Sequence, residues 1–287
     1  MPDFGIMRGF NDKLFGDKLY AGQLPTELGL IGSQDIGSLL LDFYPNSAAA
    51  YSLRKLRLLY TGNAIRVRRS SDNTEQNIGF TALGDLDTTS LTSFCSGTNG
   101  FVTTWYDQSG NSNNATQSTA NIQPQIVSNG SVTNDGVKNA LLWKNVGNDN
   151  LLLTRISNAR SVFQSGKIEQ LNDFIQCVLG DSVFNEYHGG LQTMLLDNPL
   201  TDNTQNGVNK INGSTVNLRT FTRNTNRNLI SMIHAASTNR TDQIAQNAFP
   251  AQRSWRGYIN EIIIYSTDQT TNRSGIESNI NTYYAIY

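Results

Sequence analysis

Apolar and polar positions alternate in short blocks along most of this chain, and clusters of turn residues separate the blocks. Ala64-Ile-Arg-Val-Arg-Arg69 alternates strictly and then stops in the polar turn Ser70-Ser-Asp-Asn73. That is the period-2 pattern of a half-buried strand followed by its turn. Phe101-Val-Thr-Thr-Trp-Tyr106 is β-branched and aromatic, and Asp107-Gln-Ser-Gly110 ends it without a gap. Shorter strand patterns are predicted at 77–80, 123–127, 136–143, 161–163 and 174–179, with turns at His188-Gly-Gly190 and Asn212-Gly213. The second turn is a hairpin signal, because Asn-Gly tolerates the positive φ that a tight hairpin requires. Asn228-Leu-Ile-Ser-Met-Ile-His234 is apolar almost throughout, which predicts a central strand covered on both faces. Ser254 to Tyr265 begins as an alternating strand and finishes fully apolar.

Helical spacing occurs in three places. Ala49, Leu53, Leu56 and Tyr60 form one apolar stripe, which predicts a helix from about Ser47 to Tyr60, capped by Asn46 or Ser47 and stopped at Thr61-Gly62. Leu86 to Phe94 reads as a capped helical turn. Asp268 to Tyr287 reads as a terminal helix, with Ile276, Ile280, Tyr283 or Tyr284, and Tyr287 on one face. Many short strands with few helices predict a mostly-β domain over residues 46–287, for which the resemblances given below imply an antiparallel sandwich.

Residues 1–45 keep neither period. They hold Gly-punctuated apolar-aromatic pieces, and Asn11-Asp-Lys-Leu-Phe15 is echoed at once by Gly16-Asp-Lys-Leu-Tyr20. A disordered leader is usually poor in aromatics. Phe4, Phe10, Phe15 and Tyr20 in a segment unable to form its own core therefore predict an arm that docks on a partner, with packing on its own sandwich as the alternative.

Composition narrows the function classes. Of 287 residues only 16% are charged, with a net charge of −1. Nucleic-acid binding is not expected, since phosphate contact needs clustered Lys and Arg. Arg66 and Arg68 share a strand face and read as a solvated edge or a site for an acidic partner. No apolar run approaches the ~18–20 residues that span a bilayer. The Met-Pro-Asp-Phe-Gly-Ile-Met-Arg start lacks a signal-peptide core, which predicts exit from a cell by a route other than conventional secretion. Cys95 and Cys177 are too few for a disulfide framework or a zinc site and read as buried thiols.

The block Phe94-Cys95-Ser-Gly-Thr-Asn-Gly100-Phe-Val-Thr-Thr-Trp105-Tyr-Asp-Gln-Ser-Gly-Asn-Ser-Asn-Asn114 resembles one in the catalytic domain of fungal α-L-arabinofuranosidases, a concanavalin A-like β-sandwich. There the segment reads roughly Phe-Cys-Ala, a short loop with a second Cys, an apolar strand, and Tyr-Asp-Gln-Ser-Gly-Asn-Gly-Asn. Gly100 stands where that second Cys would be. The resemblance covers about residues 47–143. Gly257-Tyr-Ile-Asn-Glu-Ile-Ile-Ile-Tyr265 and the helix after it also resemble the closing element of laminin G-like domains, including those of bacteriophage structural proteins.

Glycoside hydrolysis usually needs two carboxyl groups flanking the scissile bond. In the arabinofuranosidase family the nucleophile is a Glu following a vicinal Cys-Cys pair, with an Asp further on as acid/base. This chain has no Cys-Cys, so the nucleophile carries over to no residue; Glu186 and Asp197 are the acids left as candidates. Asp107 reads as the residue that fixes the Tyr-Asp-Gln-Ser-Gly turn, the alternative being a ligand for calcium or a sugar hydroxyl. Trp105 is the candidate for stacking on a sugar ring, although either Trp105 or Tyr106 must face the core. Trp143 and Trp255 read as core residues, and Glu261 as a buried hydrogen-bonding carboxylate. His188 and His234 make no metal site, and no cofactor is expected.

Together these features predict a non-enzymatic bacteriophage virion structural protein. The arm would anchor it to other virion proteins in a homo-oligomeric array, with a lectin-like sandwich facing host glycans. The competing expectation is a glycoside hydrolase or depolymerase of the arabinofuranosidase type.

Overall fold

The computed structural model describes residues 39–144, 149–171, 179–182, 202–247 and 253–287. Phe4, Phe10, Phe15 and Tyr20 lie outside these, as do Cys177, Glu186, His188 and Asp197. Leu39–Tyr287 forms one compact unit. Leu40 and Leu41, which the sequence assigns to the arm, are buried in it.

The chain enters through α1 (Leu40–Phe43), β1 (Ala49–Ser52), β2 (Ile65–Arg69), β3 (Glu75–Ile78) and α2 (Thr88–Phe94). It continues through β4 (Gly100–Trp105), β5 (Ala115–Thr116), β6 (Gln125–Ser128), β7 (Ser131–Val132), β8 (Leu141–Trp143), β9 (Leu151–Ala159) and β10 (Ser161–Ile168). After β11 (Leu179–Gly180) come α3 (Asp202–Gln205), β12 (Val208–Ile211), β13 (Ser214–Thr215), β14 (Arg227–Ile233) and β15 (Asn239–Ile244). The last elements are β16 (Gln246–Asn247), β17 (Arg253–Ser254), β18 (Gly257–Tyr265) and α4 (Arg273–Tyr284).

All strand pairings are antiparallel, and the main ladder runs β11-β15-β9-β5-β4-β6-β8-β18-β10-β14-β12-β13. The ladder folds over one hydrophobic interior in which Trp105, Val67 and Ile244 from one stretch meet Ile262, Ile264 and Val162 from another. A second cluster lies on the opposite face of β10, β14 and β18, where Phe163, Leu229, Ile263 and Tyr265 are covered by Leu40 and by Ile276, Ile280 and Tyr284 of α4. The described residues thus form a β-sandwich with four short α-helices, and the sandwich is the one the sequence predicts. Its apolar strands β14 and β18 are the ones plastered on both faces. Each large side chain fully buried here contributes ~1.5–3 kcal/mol from surface removed from water.

The Asn212-Gly213 hairpin forms as expected: Ile211 pairs with Ser214, and φ is 51° and 75° at the two turn residues. Trp143 and Trp255 are core residues, as read.

The helix expected over 47–60 is absent. Ala49 to Ser52 instead pairs with Ile264 to Glu261 as a strand, and all four residues are completely buried. Small and unbranched residues gave the segment a helical look, but a strand slot beside β18 decides its conformation.

Candidate functional site

The segment carrying the resemblance is built as scaffold. Asp107 is 4% exposed and its carboxylate accepts from Ala50 N and Ser109 N at one oxygen, and from Ser109 Oγ and Asn113 N at the other. All four donors come from the protein, at 2.6–3.0 Å, so little of the carboxylate remains for an ion or a sugar. Gln108 is wholly buried and works the same way: Oε1 accepts from Leu56 N, and Nε2 donates to Ser52 O and Arg54 O. Asn111 donates to Ser47 O and Ala48 O, while Asn113 pairs with both backbone groups of Thr154 as a strand residue would. Gly110, at φ 97°, supplies the conformation that lets the turn fold back. These polar side chains substitute for a ladder along β1 and the 53–56 segment.

Trp105 is fully buried beside Tyr51, their ring centroids 5.8 Å apart, so it offers no face to a sugar. Both carbohydrate-binding candidates are therefore occupied by the fold itself. Cys95 is buried, and burial raises its thiol pKa. A Cβ placed on Gly100 would stand 2.8 Å from Cys95 Sγ. Position 100 thus faces Cys95 as the second half of a bridge would.

Arg66 pairs with Glu75, and Arg69 with Asp72, on the exposed β2–β3 face. Glu261 is fully buried, accepting from Ser52 Oγ at 2.7 Å, Arg54 Nε at 2.8 Å and Arg54 Nη2 at 2.9 Å. The Arg54 guanidinium also lies 4.6 Å from the Tyr283 ring centroid. Burial works against its charge, but Glu261 more than offsets this, leaving its pKa above the usual value. This cluster fastens β1 to β18 and α4, and with Glu261 fully buried it is in keeping with a structural carboxylate.

An open groove of about 1060 Å³ runs between the 41–48 segment, the Ser109–Asn111 turn and the end of β9. Its walls are mostly polar, with Asp42, Asn46, Arg57, Asn111, Arg155 and Asn158 among them. At its edge, Arg155 binds two carboxylates: Nε lies 3.0 Å from Asp181 Oδ2, and Nη2 lies 3.2 Å from Asp181 Oδ1 and 2.8 Å from Asp242 Oδ2. Ser182 completes the clasp, its N and Oγ both donating to Asp242 at 2.8 and 2.6 Å. Asp181 is completely buried, whereas Arg155 is partly exposed. Sequence reading missed this cluster, because nothing local relates positions 155, 181 and 242; only the β11-β15-β9 pairing brings them together.

Comparison with known proteins gives these features a context. Residues 43–143 match the family model of the α-L-arabinofuranosidase B catalytic domain. A probable α-L-arabinofuranosidase B from Aspergillus terreus is 37% identical over 102 residues, 32% of this chain and 20% of the relative. Among solved structures, an arabinofuranosidase in complex with arabinofuranosyl-α-1,2-xylobiose superposes with a TM-score of 0.54 at 13% identity, over 83% of this chain and 63% of that one. A mutant GH54 α-L-arabinofuranosidase soaked with 4-nitrophenyl α-L-arabinofuranoside gives the same TM-score at 14% identity, with the same coverage. The chain therefore spans a fifth of the curated relative and under two thirds of the solved ones.

These similarities overturn the expectation of a non-enzymatic virion structural protein and its phage-particle vocabulary. That expectation leaned on the closing element, the start without a signal-peptide core, the aromatic arm and the missing Cys-Cys, and the match to a catalytic-domain model weighs against it. What the matches establish is a β-sandwich of the fold of arabinofuranosidase catalytic domains, with residues 43–143 similar to them in sequence as well.

Proposed function

We propose that this protein is a glycoside hydrolase of the arabinofuranosidase type, removing α-L-arabinofuranosyl groups from a xylan-like or related polysaccharide. The observation that carries the proposal is the match of residues 43–143 to the α-L-arabinofuranosidase B catalytic domain. The open polar groove supports it, since sugar hydroxyls need many hydrogen-bonding groups and few charges.

Two carboxyl groups would do the chemistry, one protonating the leaving oxygen and one acting as nucleophile or as base for water. Glu186 and Asp197 are proposed for these roles. Asp181 and Asp242 are not: both are held by Arg155, and Asp242 also takes two bonds from Ser182. Asp242 holds Ser182, and Arg155 ties Asp242 to Asp181.

The test is release of 4-nitrophenol from 4-nitrophenyl α-L-arabinofuranoside, the compound soaked into the solved relative. The full chain should release it, and Glu186→Gln and Asp197→Asn should each lower kcat by roughly 10²–10⁴-fold. Release undiminished in both variants would reassign the acids. No release from folded wild-type protein would remove the hydrolase reading itself.

A further inference from the structure

A second groove, of about 730 Å³, lies between α1 and α4, lined by Phe43, Tyr44, Arg54, Lys138, Ser278 and Thr282 among others. It shares no lining residue with the groove beside β9. Its size falls within the ~300–1,000 Å³ of ligand pockets. Two of its surfaces are open to solvent. Phe43 is 62% exposed, its ring centroid 6.3 Å from that of Tyr44. Gly275 lets Tyr44 lie against α4, since a Cβ there would collide with Tyr44 Oη. Ser278 and Thr282 are exposed one turn apart on α4, and their hydroxyls make no hydrogen bond among the described residues.

The third surface is cationic. The Lys138 ammonium lies 4.0 Å from the Tyr283 ring centroid and forms no ion pair among the described residues. Arg54, 4.6 Å from the same centroid, is engaged side-on by Glu261 through Nε and Nη2. Guanidinium donors form a rigid planar fork, so Nη1 points away from that carboxylate. Nη1 has no partner among the described residues and is not one of the unpaired atoms sealed from solvent. The Arg54 side chain is 10% exposed and lines the groove. Among the described residues no Asp or Glu lines it; Asp85, which accepts from the Tyr283 hydroxyl, is not part of the wall. An aromatic face packs against the C–H side of a sugar ring, hydroxyls pair with hydroxyls, and an ammonium without a carboxylate is matched by an anion. A neutral sugar leaves the cations unmatched, and a small inorganic anion leaves the ring and hydroxyls unused. A sugar acid presents all three chemistries.

We infer that this groove binds a uronic-acid unit of an acidic polysaccharide. The sugar ring rests on Phe43, its carboxylate faces the Lys138 and Arg54 end, and its hydroxyls meet Ser278 and Thr282. The site is separate from the groove proposed for hydrolysis and anchors the protein on glycan that carries carboxylates. The probes that test it hold no arabinofuranosyl group, so the inference fails or stands independently of the hydrolase reading.

The experiment is isothermal titration of the full chain with trigalacturonic acid and, in parallel, glucuronosyl-xylobiose, with xylotriose as the neutral counterpart. Saturable binding of at least one acidic trisaccharide is expected, roughly tenfold or more tighter than xylotriose and weakening as salt is raised. Lys138→Gln and Phe43→Ala should each weaken it roughly fivefold or more. Both variants should keep the wild-type melting temperature, because Lys138 is held through its backbone N–H on Asp135 and Phe43 is largely exposed. No binding of either acidic trisaccharide, xylotriose bound as tightly as they are, or acidic binding that either variant leaves intact would overturn the inference.

Discussion

Asp107 shows how much a single side chain can be asked to hold. With four protein donors on one buried carboxylate, Asp107→Ala strands Ala50 N, Ser109 N and Asn113 N, besides loosening the turn. A loss of about 2–4 kcal/mol is expected, read as a lower urea midpoint with unchanged m-value. Hydrogen bonds to a charged group lie at the upper end of the usual range, and Asp107→Asn should therefore recover only part of the loss. Gly100 offers a converse test. Its Cβ direction points at Cys95 Sγ, within the reach of a bridge whose Cβ atoms sit ~3.5–4.5 Å apart. Gly100→Cys should form a disulfide with Cys95, removing both thiols from reaction with a thiol reagent in the unfolded protein. Val67 and Val127 crowd the site, so the informative comparison is oxidised against reduced protein of the same variant. A short loop of this kind is worth about 2 kcal/mol by chain entropy, and the oxidised form should melt several degrees higher. With Cys177 as the third cysteine, one reactive thiol after oxidation is the expected count, and three would show that positions 95 and 100 are not disposed for a bridge.

Among elements, legibility tracked how local the deciding force is. The β2 alternation, the Asn212-Gly213 hairpin, the α2 turn capped by Asp87 and the α4 stripe are set by period and turn chemistry, and they form where the sequence places them. Residues 49–52 are set by a partner strand more than two hundred positions away, and local spacing misread them as helix. The same holds for function. Asp107 and Trp105 stood out as chemistry-bearing types, yet their neighbours consume them, while Arg155, Asp181 and Asp242 meet only through strand order. The clasp that joins β1 to β18 and α4 provides a test of that long-range fixing. Arg54→Met alone leaves Glu261 buried without its cation and should cost about 3–5 kcal/mol. Arg54→Met with Glu261→Met removes both charges and should regain a large part of it, as chemical denaturation of the two variants will show. Equal destabilisation in single and double variants would mean that packing against Tyr283, not the ion pair, holds the junction.

At the scale of the whole molecule, two layers of strands position a polar groove, and the stability of that frame should depend on pH. His234 is buried beside Thr204, and burial, assisted by the Arg160 charge, lowers its pKa to about 3. Its ordinary value is about 6.5. The folded protein therefore keeps His234 neutral where the unfolded chain takes up a proton, and stability falls as pH drops from about 6.5 towards 3. Between pH 7 and pH 5 the loss should be up to about 2 kcal/mol, and His234→Gln should flatten that part of the curve. Below pH 4 the lowered carboxylates Asp135 and Asp268 add their own losses.

The fold is that of arabinofuranosidase catalytic domains, and the proposed chemistry rests on the match of residues 43–143 to their family model. Its most direct test is incubation of the full chain with arabinofuranosyl-α-1,2-xylobiose, the ligand of the solved relative, followed by chromatography of the products. Free arabinose and xylobiose in stoichiometric yield are the expected result. An intact trisaccharide after prolonged incubation with folded protein would contradict the account.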